Sequence, residues 1–139
     1  MSGKSAARMF ALVFGAIYVV VGIVGFAVTG FDNWLVNTNE RLIIFELNAF
    51  HNIVHLAIGG LLLAAYRLPK ETATQGVNIG IGVFLLTAAV IGFTGYGTLE
   101  IISIDSALAA DNFLHLVSGV VAVAFGFPRL SAAIRPATP

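Results

Sequence analysis

The sequence predicts an all-α fold, an integral membrane four-helix bundle built from two parallel helical-hairpin repeats. Three observations predict it. Hydrophobic residues make up 58% of the 139 and charged residues only 10%, with a mean hydropathy of +0.96, against about a quarter charged in soluble domains. The apolar residues fall into four runs, each near the ~20 residues that cross a bilayer. A short phrase also occurs twice, His51-Asn52-Ile53-Val54-His55-Leu56 and Asp111-Asn112-Phe113-Leu114-His115-Leu116, and Gly59 and Gly119 follow at the same distance. The expected organisation is a single membrane domain over 1–139, with spans at about 7–29, 47–66, 76–96 and 106–127 and a flexible tail over 128–139.

The first run follows Lys4 and Arg8, the start that a cleavable signal peptide would also have. From Met9 to Val28 it is longer than the apolar core of such a peptide and lacks a small-x-small cleavage site, so it is read as a retained span. Ala11, Gly15, Gly22 and Gly25 give it small residues at helical spacing, which let backbones approach closely where lipid supplies no hydrophobic drive. Tyr18 is read as core filling, with its hydroxyl bonded to a neighbouring helix. Trp34, in the polar loop that follows, suits a membrane interface.

Asn39 is a candidate N-cap for the second helix, with Glu40 in its first turn and Arg41–Phe45 starting the helix above the hydrocarbon. The spanning part opens with Asn48, His51, Asn52 and His55, whose offsets of three, four and seven place them on a single face. Pro69 stops it. In the third run, Gly76 with Gly80 and Ala88 with Gly92 form small-xxx-small pairs. Ser106 is a candidate N-cap for the fourth, which Pro128 and Arg129 end.

Basic residues fix the orientation. With the N-terminus cytoplasmic, Lys4, Arg8, Arg67, Lys70, Arg129 and Arg135 lie inside and Arg41 alone lies outside. The expected location is therefore the cytoplasmic (inner) membrane, multi-pass, with both termini cytoplasmic. Asp32, Glu40, Glu46, Glu100, Asp105 and Asp111 gather at the outer mouth. The seven Lys and Arg cancel the seven Asp and Glu, so no basic footprint for nucleic acid is present. The absence of cysteine excludes disulfides and thiolate chemistry.

Gly25-Phe26 aligns with Gly92-Phe93 at an offset of 67, and His55-Leu56 with His115-Leu116 at 60. Two spans return the chain to its starting side, so the repeat is parallel about an axis along the membrane normal. Spans two and four would then hold His55 opposite His115 at matched depth, roughly 12–14 Å in. Asn52 would meet Asn112, and symmetry breaks where His51 corresponds to Asp111.

Ionisable groups at membrane depth point to function by default. Two site readings compete. In one, Asn48, His51, Asn52, His55, Asp111, Asn112 and His115 form a hydrogen-bonded polar cluster between spans two and four, open towards the outside. In the other the cluster holds a cofactor. His51, His55, Asp111 and His115 would ligate a divalent metal, or His55 and His115 would be axial ligands of a haem, with Gly59 and Gly119 leaving room for the macrocycle. A proton or small-solute path is a further use of the same groups. Catalysis has one nucleophile candidate, Ser118, which is read as bonding its own backbone or packing as a small residue. The preferred role is non-catalytic, structural or accessory. The lipid bilayer and other membrane subunits are the expected partners.

The doubled Asn-x-x-His-Leu phrase, Asn52 to Leu56 and Asn112 to Leu116 with Gly59 and Gly119, resembles a bacterial, largely actinobacterial, family of small four-span membrane proteins of unknown function. The resemblance covers nearly the whole chain. It implies four helices in a bacterial cytoplasmic membrane and carries over no catalytic residue, substrate or cofactor.

Overall fold

The computed structural model describes residues 5–94 and 99–127. Four α-helices follow one another, α1 (Ala6–Thr29), α2 (Ala49–Tyr66), α3 (Glu71–Thr94) and α4 (Ala110–Gly126). Strands β1 (Arg41–Leu42) and β2 (Phe45–Glu46) lie between the first two helices, and a 3-10 turn, Glu100–Ile102, precedes the last. Helices α1, α2 and α3 are long and apolar enough to cross a membrane; α4 is a shorter apolar helix of 17 residues. Expectations for Lys4, for Gly95 and Tyr96 at the end of the third span, and for the tail over 128–139 lie outside the described residues.

Helix α1 begins at Ser5, whose hydroxyl accepts from the Arg8 amide, and stops at Gly30, which takes φ +64°. Its buried stripe of Ala7, Phe10, Ala11, Gly15, Tyr18, Gly22 and Gly25 repeats every three or four residues. Val13, Ile17, Val20, Ile23 and Val24 stay exposed and make the outer face apolar.

The stripe lets α1 lie directly on α2. A methyl group on Gly59 would come within 2.8 Å of the Gly15 carbonyl oxygen, and one on Gly22 within 2.9 Å of the Asn52 carbonyl oxygen. Helix α3 lies on α4 in the same way, since a methyl on Gly119 would come within 2.9 Å of the Gly82 carbonyl oxygen. Only residues without a Cβ permit such backbone approach. The α3 seam runs through Gly82 and Gly92. The expected pair Gly76 and Gly80 faces open space instead, because the stripe that meets α4 is rotated away from it.

The two hairpins meet through Phe10, Tyr18, Ile58, Leu62, Ile81, Leu85 and Ala122. Phe10 stacks on Phe14 at 4.2 Å and on Phe125 at 5.3 Å. At the end carrying Arg8, its guanidinium donates to the carbonyls of Leu68 (2.7 Å) and Pro69 (3.1 Å), and the Asn78 amide donates to the Ala7 carbonyl (3.0 Å).

Helix starts depart from expectation in three places. Asn39 takes φ +55°, a left-handed conformation that ends a loop rather than the extended one of an N-cap. The apolar stretch after it pairs as an antiparallel ribbon, Arg41 opposite Glu46 and Leu42 opposite Phe45, and α2 starts only at Ala49 with Asn48 as its cap. Helix α3 starts earlier than the expected span, at Glu71, an acid favourable in a first turn. Helix α4 starts at Ala110 rather than after Ser106, because the Asn112 amide reaches back to the carbonyls of Ser106 (2.9 Å) and Ala107 (3.2 Å) and holds that segment as a turn.

Ile43 turns the ribbon at φ +64° while 85% exposed. A β-branched residue there is strained by about 1–3 kcal/mol. Ile43→Gly should therefore stabilise the fold by about 1 kcal/mol after the entropic loss of glycine, read as a higher midpoint in detergent-induced unfolding.

Candidate histidine site beneath a hydrogen-bonded cap

Two loops close the end of the molecule above the histidines. The Asn37 amide donates to the Asp105 carboxylate (2.6 Å), the Thr38 amide to the Ser103 hydroxyl (3.2 Å), and the Ser103 hydroxyl to the Asn37 side-chain oxygen (3.2 Å). Glu46 sits between the hairpins. It pairs with Arg41 (2.8 Å), its carboxylate accepts from the Asp105 amide (3.4 Å), and its own amide donates to the Asp111 carboxylate (2.9 Å). Leu47 and Ile104 are buried within this cap. The cluster is thus covered at its mouth and not open there, because both loops supply backbone and side-chain partners to each other.

Asn48 is the central tie. Its side-chain oxygen accepts from the His51 amide (2.8 Å), and its amide donates to the carbonyls of Val36 (3.0 Å) and Ile101 (2.9 Å), one in each loop. The same side chain caps α2 and joins the hairpins.

His51, 1% exposed, donates from Nδ1 to the Glu46 carbonyl (3.0 Å). Its ring stacks on His55 at 4.5 Å and lies 6.0 Å from His115, while Tyr18 meets His55 edge-on at 5.5 Å. The Tyr18 side chain lies beside Ser118 of α4. Side chains from α1, α2 and α4 form one ring cluster.

Asn52 and Asn112 do not pair with each other. Each turns into its own hairpin, Asn52 against Gly25 and Asn112 against Gly92, where an added methyl would collide with the amide. The Asn52 amide donates to Thr29 (2.8 Å). Among the described residues both side-chain oxygens lack a conventional hydrogen bond, and they rest beside Gly25 and Gly92, where a weak Cα–H contact is available.

The expected metal set is not assembled. Asp111 is held by the Glu46 amide and His51 by the Glu46 carbonyl, and among the described residues no three His, Asp or Glu side chains are placed to hold one ion. Gly59 and Gly119 do not clear room for a macrocycle, since the backbones of α1 and α3 fill the space their missing side chains leave.

His55 and His115 line two clefts on opposite flanks. One, of about 430 Å³, lies between α1 and α4 below the ribbon and includes Ile17, Tyr18, Val21, Leu114 and Ser118. The other, of about 330 Å³, lies between α2 and α3 and includes Phe84, Leu85, Ala88, Val54 and Ile58. Part of each lining corresponds at the offsets of 67 and 60 residues: Ile17 with Phe84, Tyr18 with Leu85, Val21 with Ala88, Leu114 with Val54 and Ser118 with Ile58.

A family model of a domain of unknown function, DUF4383, matches residues 8–128. The chain belongs to the DUF4383 family. No curated protein and no solved structure matches it. The DUF4383 match spans all four helices and both copies of the histidine phrase, so the seams, the cap and the ring cluster all lie within the family domain.

Sequence reasoning missed Glu46, Ser103 and Asn37 as builders of the cap. Asn37 and Ser103 lie in loops and Glu46 in a two-residue strand, with no period to read. Asn37 and Ser103 had one signal, the polar residues of Asn37-Thr38-Asn39 and of Ser103 with Asp105, and only the fold brings those segments together.

Proposed function

We propose that this DUF4383 protein is a multi-pass protein of the cytoplasmic membrane, a four-helix bundle of two parallel hairpin repeats with both termini cytoplasmic, and that its role is non-catalytic, structural or accessory to other membrane subunits. Equivalent glycine contacts in the two hairpins support the repeat. The apolar outer faces support burial in lipid.

One observation carries the role. Asn48, His51, Asn52 and Asn112 donate to the protein's own loops and helices, and Asp111 accepts from the Glu46 amide. That is how polar groups act when they lock helices together in lipid. Purified in mild detergent, the protein should be colourless and free of stoichiometric metal, with an unfolding midpoint indifferent to chelators. A haem absorption band, or a stoichiometric metal lost in the His55→Gln/His115→Gln variant, would overturn the reading in favour of a haem or metal site.

Orientation has its own check. Cysteines introduced at Asn33 and at Thr72, both exposed, should react with an impermeant reagent from opposite sides of the membrane. Labelling from one side refutes the four-span arrangement.

A further inference from the structure

The ribbon formed by β1 and β2 has a polar root and an apolar tip. At the root Arg41 pairs with Glu46, Glu46 joins the cap, and the Leu47 amide donates to the Glu40 carbonyl (3.0 Å), which extends the pairing. At the tip Leu42, Ile43, Ile44 and Phe45 are four consecutive apolar residues, with Ile43 85% and Ile44 59% exposed. Hairpin turns with a positive φ favour Gly, Asn or Asp, yet this one places a bare isoleucine there.

The tip does not project away from the helices. Strand β1 touches α1 and β2 touches α4, and Leu42, Ile43 and Phe45 line the cleft between those helices with Ile17, Val21 and Leu114. The ribbon therefore folds back from the cap along the bundle. Ile17 and Leu114 are exposed beside it, and in a membrane-spanning chain such faces meet lipid, so the tip continues the lipid-facing surface. Aromatic rings gather at the same end of α1. Phe31 stacks on Phe26 at 4.7 Å and Trp34 meets it edge-on at 6.5 Å, both of them exposed, and exposed aromatic rings mark the level where bilayer meets water.

Chemistry selects the partner. Leu42 to Phe45 carry no polar or charged side chain, so the tip offers a headgroup or a protein surface nothing directional, and its complement is hydrocarbon. Backbone limits the depth. Open ribbon edges are excluded from the hydrocarbon core, so the tip stops at the acyl boundary, about 5–10 Å below the headgroups.

We propose that the ribbon is an interfacial membrane anchor, with Ile43 and Ile44 inserted among the upper acyl chains of the outer leaflet beside α1 and α4 while Arg41 and Glu46 stay at the polar cap. The anchor rests on the membrane-spanning arrangement and goes beyond it, since it assigns lipid contact to a segment outside the four helices.

The test uses the full chain in phosphatidylcholine nanodiscs, where both faces are open to solutes, with Trp34→Phe removing the sole tryptophan. In that background Ile44→Trp should give blue-shifted emission shielded from iodide. Lipid brominated near the top of the acyl chain should quench it about twofold more than lipid brominated near the chain end. Val20→Trp is the reference. Val20 is 58% exposed on α1, about 14 Å from the Thr29 end, and there the chain-end lipid should quench more. If Val20→Trp is quenched while position 44 is open to iodide, the anchor fails and the spans stand. Shielding from iodide at position 44 without quenching by either lipid also overturns the anchor, because protein then covers the tip, and so does stronger quenching there by the chain-end lipid. Quenching at neither position overturns the membrane-spanning arrangement and the anchor with it. If Ile44→Trp does not fold, Ile43→Trp makes the same measurement from the neighbouring tip position.

Discussion

Replacing Gly59 or Gly119 by leucine should unfold the hairpin that contains it, with a loss of about 3 kcal/mol or more in detergent-induced unfolding. The neighbours include backbone atoms. At Gly59 even a methyl group would meet the Val19 nitrogen at 2.7 Å and the Gly15 carbonyl oxygen at 2.8 Å, and at Gly119 the Gly82 carbonyl oxygen at 2.9 Å. No rotamer relieves such an overlap, so the helices must separate along their length. Gly60→Leu is the control. A side chain on Gly60 would point into open space, and its replacement should leave the midpoint within about 0.5 kcal/mol. Equal tolerance of leucine at Gly59 and Gly60 would refute the seam.

Asn48→Ala should lower stability by about 3 kcal/mol, measured as the same unfolding midpoint and as faster amide exchange of the cap loops. Loss of an N-cap contributes about 1 kcal/mol. The rest comes from the Val36 and Ile101 carbonyls, which lose their shared donor and carry a penalty of about 1–3 kcal/mol each where burial persists. Asn48→Asp separates the two parts. It retains the acceptor for the His51 amide and removes the donor, so it should restore the cap and leave the loops exchanging rapidly. If Asn48→Ala matched the unaltered protein, the cap would not be held from this residue.

Much of the helical framework was legible because it depends on local pattern. Apolar runs between Gly30, Pro69 and polar loops locate the helices, and the glycine stripe of α1 could be read from spacing alone. The face carrying Asn48, His51, Asn52 and His55 was also legible, and all four residues are buried. What each does was not, because three- and four-residue offsets place side chains on a broad face without saying which neighbour each meets. Asn52 turns to Gly25 in its own hairpin, while His51 faces His115 in the other and His55 meets Tyr18 in its own. The helix starts were misread where a tertiary partner overrides a local cap, as the ribbon does at Asn39 and as Asn112 does at Ser106. Gly76 and Gly80 show the same limit, since small-residue spacing marks a possible seam and rotation of the helix decides which stripe is used.

The glycine seams and the cap differ in the length of chain they must close. The seams join helices that are consecutive in the chain, whereas the bonds of the cap from Asn48 to Ile101, Glu46 to Asp111 and Asn37 to Asp105 link residues 53, 65 and 68 apart. Local contacts form before distant ones, which must first meet the entropy of closing a long loop. Each hairpin can therefore zip as a unit, and the two are joined late at the end above the histidines. The last joint to close is the least protected against opening. Breathing of the protein should begin at Asn37, Asn48 and Asp105, and it is there that His51 first meets water.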